Sequence, residues 1–193
     1  MAPLTIGLTG GIAAGKSEAL KAFGRLGAAT LSSDAVVHEL LDSEPLRGRL
    51  VERWGPEVVE DGSVNRARIG QIVFADPDQL SWLESQIHPL VGERTAEWLR
   101  ALPAETEVAV VEVPLLFEVG RDDVFDTTVA IVTADEVRRR RAEARGHALV
   151  DEREALQLTQ AEKAERADHV VVNDGSVEDL EEALSALLAK LRE

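Results

Sequence analysis

The chain has 193 residues, and its 36 Asp and Glu against 21 Lys and Arg leave a formal net charge of -15, with 45% hydrophobic residues to build one main core. That acidity argues against a general binder of nucleic-acid backbone, yet leaves room for a local basic patch that holds a small anionic ligand. Zero cysteines exclude disulfides and thiolate metal sites, and with no secretory leader pattern and no apolar run of the roughly 18 residues a membrane span needs, a cytoplasmic protein with no membrane partner is expected.

Residues 4–9 read as a short apolar strand, broken by Gly10-Gly11 before a helix from 17 to about 24. Between them, Gly10, Gly11, Ile12, Ala13, Ala14, Gly15, Lys16 and Ser17 match GxxxxGK[ST] in full, in the strand-to-helix setting that the motif requires. The glycines permit turns that aim backbone N–H groups inward, and the helix end adds partial positive charge. Lys16 can then lie along the β and γ phosphates of ATP, with Ser17 placed to coordinate Mg2+. A chance glycine-rich turn with an exposed lysine is the bland alternative, and the full motif in context outweighs it.

A second strand covers 28–31, and parallel topology brings Asp34, just past it, to the same carboxyl edge of the sheet. The carboxylate there serves either as a base that orients an acceptor hydroxyl, or as an N-cap for a helix over 35–41. From there to residue 103 the pattern is helical, with Leu46, Leu50, Trp54, Ile69, Val73, Leu83 and Ile87 among its apolar positions. That is far longer than one crossover needs and predicts a helical subdomain. Within it His88 precedes Pro89, which predicts a helix boundary or kink; the histidine is either structural or ligand-facing.

Runs at 107–113, 127–132 and 169–172 supply the third, fourth and fifth strands, and their near-continuous Val and Ile content fits a parallel sheet covered on both faces. Thr133 with Glu136, and Ser176 with Asp179, offer N-caps to the helices that follow. After the second cap, Val177, Leu180, Leu184, Leu187, Leu188 and Leu191 recur at helical spacing and should press a terminal helix onto the sheet.

Arg138, Arg139, Arg140, Arg141 and Arg145 crowd a segment after the fourth strand with only Glu143 opposing them. They are either phosphate-neutralising groups on a lid or a solvated helix face. Consecutive helical residues project around most of the circumference, so only one or two can face inward. Lys163 on the returning helix has the same two readings, and Asn173-Asp174-Gly175 either turns the chain or touches the adenine.

With these residues assembled, the chain resembles the dephospho-coenzyme A kinase family over nearly its full length. Thr9 through Ser17 looks like that family's opening loop, Ser33-Asp34 stands in its Asp-Ala-Asp segment, and Ile87-His88-Pro89-Leu90 looks like its IHP signature. Pro114-Leu115-Leu116-Phe117-Glu118 is the most family-specific piece. Arg141 and Arg145 fall where lid arginines recur, Gln157 and Lys163 fit the returning helix, and residues 167–175 resemble the closing pattern.

The resemblance implies an α/β fold: a P-loop NTPase-like core with a five-stranded parallel sheet (1–34 and 104–193), a helical acceptor-binding subdomain (35–103) and a helical lid (138–163). It implies transfer of the ATP γ-phosphoryl group to the ribose 3'-hydroxyl of dephospho-coenzyme A. In that setting Asp34 is the expected base, with Lys16 and Arg141 the catalytic cations. Residues 10–18, Arg145, Asn173 and Gly175 would bind nucleotide; Asp34, His88, Leu115 and Phe117 would meet the acceptor. A monomer with no nucleic-acid partner is expected.

Departures from the family pattern fall at four places. Glu18 stands where a serine or threonine is usual, removing a hydroxyl expected near the α phosphate and adding a repelling charge if it faces inward. Ala14 replaces a loop serine, and Gly146 replaces an aspartate after Arg145. Ser32 replaces the first aspartate of the pair, so a second carboxylate near magnesium would have to come from Glu112 or Glu118. Two other functions fit the loop: a nucleoside or nucleoside-monophosphate kinase, and a nucleotide-gated interaction module without chemistry.

Overall fold

Val-rich runs with no polar face have to be covered on both sides, and here they pair with one another in a single sheet. The computed structural model describes residues 2–144 and 157–192. Strands β1 (Leu4–Gly10), β2 (Ala29–Ser32), β5 (Val108–Glu112), β6 (Thr127–Val132) and β7 (His169–Val172) form a five-stranded sheet in the order β2-β5-β1-β6-β7. All of its pairings are parallel. β1 is central, registering Leu8 against Glu112 on one side and Val129 on the other.

All five residues of β5 are buried, as the continuous apolar run predicts. At the β7 edge the expectation of cover on both faces fails: Val171 is buried, but Val170 and Val172 are 45% and 59% exposed. Helices α1 (Lys16–Arg25) and α8 (Val177–Leu191) supply Ala19, Ala22, Phe23, Leu180, Leu184 and Leu188 to the core around Ile6 and Leu8. Ser176 caps α8 as predicted, its hydroxyl accepting from the Asp179 N–H while the Asp179 carboxylate accepts from the Ser176 N–H.

The cap expected at Thr133 does not form. Helix α6 (Asp135–Ala144) starts two residues later, which puts Ala134 rather than Thr133 at the N-cap position. The Thr133 hydroxyl donates to the Asn173 carbonyl and the Asp174 carboxylate, which arrive from the β7 end of the sheet. A reciprocal cap does occur on α7 (Gln160–Arg166), between Thr159 and Glu162.

By contacts the chain divides into two units, Met1–Ser32 with Leu102–Glu193, and Ser33–Ala101. The second contains α2 (Ser33–Leu41), α3 (Glu44–Trp54), a small hairpin of β3 (Val59–Glu60) and β4 (Ser63–Val64), α4 (Arg66–Ala75) and α5 (Pro77–Ala101). It has its own core of Leu46, Leu50, Val58, Ile69, Leu83 and Ile87. Trp54 and Trp82 meet edge to face at 5.1 Å, a packing role as expected. Of the boundary or kink expected at His88-Pro89, the boundary is absent: α5 runs through Pro89 for 25 residues. The proline forfeits one backbone bond, and the buried Leu83 and Ile87 hold the preceding turns in place. Among the described residues, no helix is long and apolar enough to cross a membrane.

Aspartates pin the amino ends of the strands. Asp126 accepts from both the N–H and hydroxyl of Thr5 at 2.7 Å, and Asp168 from both groups of Thr128 at 2.8 Å. The Thr128 hydroxyl and then its N–H hold the Asp168 carboxyl below its ordinary range. A depressed folded pKa contributes stability above the unfolded value and loses it as pH falls through the folded one. Asp168→Asn is therefore expected to lower the thermal midpoint at pH 7, with the gap from the wild type narrowing below about pH 4; melting curves across that range check it.

Candidate active site

β1 ends where no side chain fits. Gly10 has φ 152, and a Cβ there would collide with the Ile131 carbonyl of β6. The chain then turns through Ala13 and Gly15, both at positive φ (60 and 99), and enters α1 at Lys16 with no side-chain cap. A helix leaves its first N–H groups without intrahelical partners, and its macrodipole adds positive potential there, so this loop is built to receive an anion. The Lys16 ammonium lies over the loop, donating to the carbonyls of Gly10 (3.1 Å) and Gly11 (2.9 Å).

Ser17 opens the second residue of α1, and its hydroxyl is 3.4 Å from the carboxylate of Glu112, a residue only 4% exposed at the end of β5. A hydroxyl beside a carboxylate fits the hard-oxygen preference of Mg2+, which keeps several waters and takes phosphate oxygens as further ligands. Among the described residues no group of three or more His, Cys, Asp or Glu forms a ready-made cage. The residues present therefore fit a magnesium ion shared with a bound polyphosphate.

The arginine run resolves by helical geometry. Arg139 and Arg140 are exposed, whereas Arg138 and Arg141, three apart on α6, are partly buried. Arg138 pairs with Asp135 at 3.2 Å. Arg141 donates to the Asn173 carbonyl at 2.9 Å, and its Nη1 lies 3.7 Å from where a Cβ on Gly15 would stand. Arg141 is thus brought beside the phosphate loop. Arg145 lies outside the described residues, as does the middle of the expected lid.

Asn173 is 5% exposed, and its side-chain amide donates to the Ala14 carbonyl at 2.8 Å, so it braces the loop from the β7 side. Asp174 accepts from the Thr133 hydroxyl and from the Ala134 N–H, which holds its pKa below the ordinary range, the backbone donor contributing most. Gly175 precedes the Ser176 cap, close against Asp179.

Glu18 is paired. Its carboxylate meets Arg25 at 3.3 Å and Lys21 at 3.8 Å, and Arg25 in turn bonds Glu181 of α8 at 2.6 Å. The charge is thus balanced by two cations, while the family hydroxyl at this position is still missing.

In the loop after β5, Leu116 and Phe117 are buried and Leu115 is half-buried. Lys163 is fully buried, bonded to Glu118 and Pro114. That removes it from the phosphate-facing lysines. Asp34 and His88 belong to the second unit. Helix α2 begins at Ser33, so Asp34 sits in its first turn, exposed, and its carboxylate accepts no hydrogen bond among the described residues. It is not spent on capping. His88 lies within α5, half-buried.

The sheet order, the glycine-bounded loop entering α1, and the Lys16, Ser17 and Glu112 cluster define a P-loop kinase-type nucleotide site. Similar solved structures share the fold. A Thermus thermophilus protein matches with a TM-score of 0.83 at 36% identity over 99% of both chains. Shikimate kinase from Acinetobacter baumannii shares the fold alone, with a TM-score of 0.54 at 14% identity over 98% of this chain and 94% of its own. Within that class the chain belongs to the dephospho-CoA kinase family, whose model matches residues 4–179. Dephospho-CoA kinases of Synechococcus sp. (strain CC9902) and Streptomyces avermitilis are 36% and 37% identical, covering 95% and 97% of this chain and 94% of each relative.

The sequence signalled the loop, and the family resemblance singled out Arg141, but neither signalled the Asn173 brace, which joins residues 159 apart. Asn173→Ala would leave the Ala14 carbonyl without its buried donor, a loss of about 1–3 kcal/mol. The expected outcome is a raised KM for ATP and a lower melting temperature that excess nucleotide partly restores, read by steady-state kinetics and melts with and without ATP.

Proposed function

We propose that the chain transfers the γ-phosphoryl group of ATP to the ribose 3'-hydroxyl of dephospho-coenzyme A, giving coenzyme A and ADP. The observation that carries this reading is the complete phosphate loop with its lysine and its hydroxyl beside buried Glu112, in a chain of this family. Lys16 lies along the β and γ phosphates, and Arg141 faces the equatorial oxygens over which charge spreads in the transition state. Asn173 and Gly175 flank the adenine of the nucleotide, the former also bracing the loop.

Asp34 is the base. It follows by two residues the end of β2, where Ser32 registers with Glu112, and its exposed carboxylate is not engaged elsewhere among the described residues. It orients the acceptor hydroxyl and takes its proton as the P–O bond forms in line with the departing ADP. The helical unit, with His88, binds dephospho-coenzyme A. Leu115 presents surface to it, and Phe117, only 7% exposed, backs that surface from the core. Mg2+ held by Ser17, with Glu112 beside it, would neutralise phosphate charge.

A magnesium-dependent assay with ATP and dephospho-coenzyme A, run beside nucleoside monophosphates, tests the reaction: coenzyme A is the expected product, and turnover of the monophosphates alone would overturn the assignment. Asp34→Asn keeps size and polarity but not basicity, and kcat is expected to fall about a hundredfold or more with little change in ATP affinity. Lys16→Ala is expected to weaken both ATP binding and turnover. Glu18→Thr restores the missing hydroxyl and should lower the KM for ATP several-fold; an unchanged KM would mean that position 18 does not meet the nucleotide.

A further inference from the structure

Lys163 is a fully buried lysine, and every partner found for its ammonium lies on the loop after β5. It donates to the Pro114 carbonyl at 2.5 Å and pairs with the Glu118 carboxylate at 3.0 Å. The Pro114 carbonyl also accepts from the hydroxyl of Thr9, one residue before the phosphate loop begins at Gly10. The same oxygen of Glu118 that meets Lys163 accepts from the Leu158 N–H at 2.9 Å, two residues before α7. The other oxygen of Glu118 is buried with no hydrogen-bond partner among the described residues.

One turn earlier on α7, Gln160 exchanges two 2.8 Å bonds with the backbone of Thr133, just after β6. Its side chain also stands 3.5 Å from where a Cβ on Gly11 would be. Helix α7 therefore grips the loops after β5 and β6 through Lys163 and Gln160, and the phosphate loop after β1 emerges between them.

A buried ion pair is a poor device for stability alone, since apolar groups of similar volume fill such a space at equal or lower cost. It does fix geometry, because each charge accepts few arrangements. We propose that Lys163 is a positioning residue for phosphoryl transfer: through Pro114 and Glu118 it holds residues 114–118 in register with the root of the phosphate loop, and so sets where the acceptor lies relative to the nucleotide. This rests on the reading that residues 114–118 meet the acceptor. Neither Lys163 nor Glu118 touches substrate in it.

The test compares Lys163→Met, Glu118→Gln and the double variant Lys163→Met with Glu118→Met. Each single change strands a buried charge, so both singles melt lower than the wild type. The double variant removes both charges and is expected to regain most of the melting temperature, short of the bond that the Leu158 N–H loses. If the junction positions the acceptor, the double variant still shows a KM for dephospho-coenzyme A raised about tenfold or more, with the KM for ATP within about twofold, because the Thr9 bond to Pro114 survives. Recovery of the acceptor KM together with stability would reduce the pair to packing and overturn the proposal. Should the Met variants fail to fold, Glu118→Gln carries the same ratio of KM values, and an unchanged ratio there overturns it as well. Amide hydrogen exchange at residues 115–119 needs no substrate. Faster exchange in the foldable variants supports the junction and equal exchange refutes it, even if wild-type protein made no coenzyme A and the functional reading had to be abandoned.

Discussion

The placement of β1 between β5 and β6 is the constraint from which the rest of the site follows. Ile6 and Leu8 are fully buried, so the strand is locked into the middle of the sheet. Its last residue, Gly10, comes up against the Ile131 carbonyl with no space for a side chain. The chain must leave abruptly and begin α1 within a few residues, and that gathers N–H groups at one helix end. β5 and β6 run parallel beside it and deliver Glu112 and Thr133 to the same edge. One is a carboxylate set against the Ser17 hydroxyl; the other is the latch for Asp174 and Gln160. Anion binding here is a property of strand order.

This explains how a chain with a net charge of -15 can carry a polyphosphate site. Field strength at the loop depends on the helix end, Lys16 and Arg141, all close by, while the acidic side chains are distributed and screened over roughly a Debye length. Beside the buried Glu112, Glu18 adds a second acidic side chain near the loop, one residue past Ser17. An acidic residue in the first turn is compatible with the helix dipole, and the Arg25 bridge to Glu181 draws the carboxylate toward α8. Glu181 holds the Arg25 guanidinium all the more firmly protonated. The substitution is thereby absorbed as a tie between α1 and α8.

Much of this was legible in the sequence because the signals were local. Three strands announced themselves as Val and Ile runs and two as short apolar stretches, and the phosphate loop as a contiguous motif with its strand and helix on either side. Exposure at Val170 and Val172 was not legible, because a run of valines does not say that its strand will have only one neighbour. The β3–β4 hairpin has two residues per strand, too few for any periodicity; the sign it left was Asp61-Gly62, whose φ values of 51 and 81 make the turn. Thr133 looked like a cap, but the helix begins two residues further on, and the hydroxyl instead ties to a carbonyl forty residues away. The Asn173 brace and the Lys163 junction have no local signature at all. Each joins loops that only the parallel crossovers bring together, and the family pattern names such residues without saying what they touch.

The same register bears on position 32, where a serine stands in place of an aspartate. Ser32 ends β2 directly opposite Glu112, the last residue of β5. A carboxylate expected at the end of one strand is therefore present at the same level on the next, already adjacent to Ser17 and nearly inaccessible to water. Burial keeps it from being screened, so one acid there exerts more on a nearby cation than an exposed one would. From β5 this carboxylate reaches the Ser17 hydroxyl at the start of α1, so strand register alone sets an acid and a hydroxyl together at the phosphate loop.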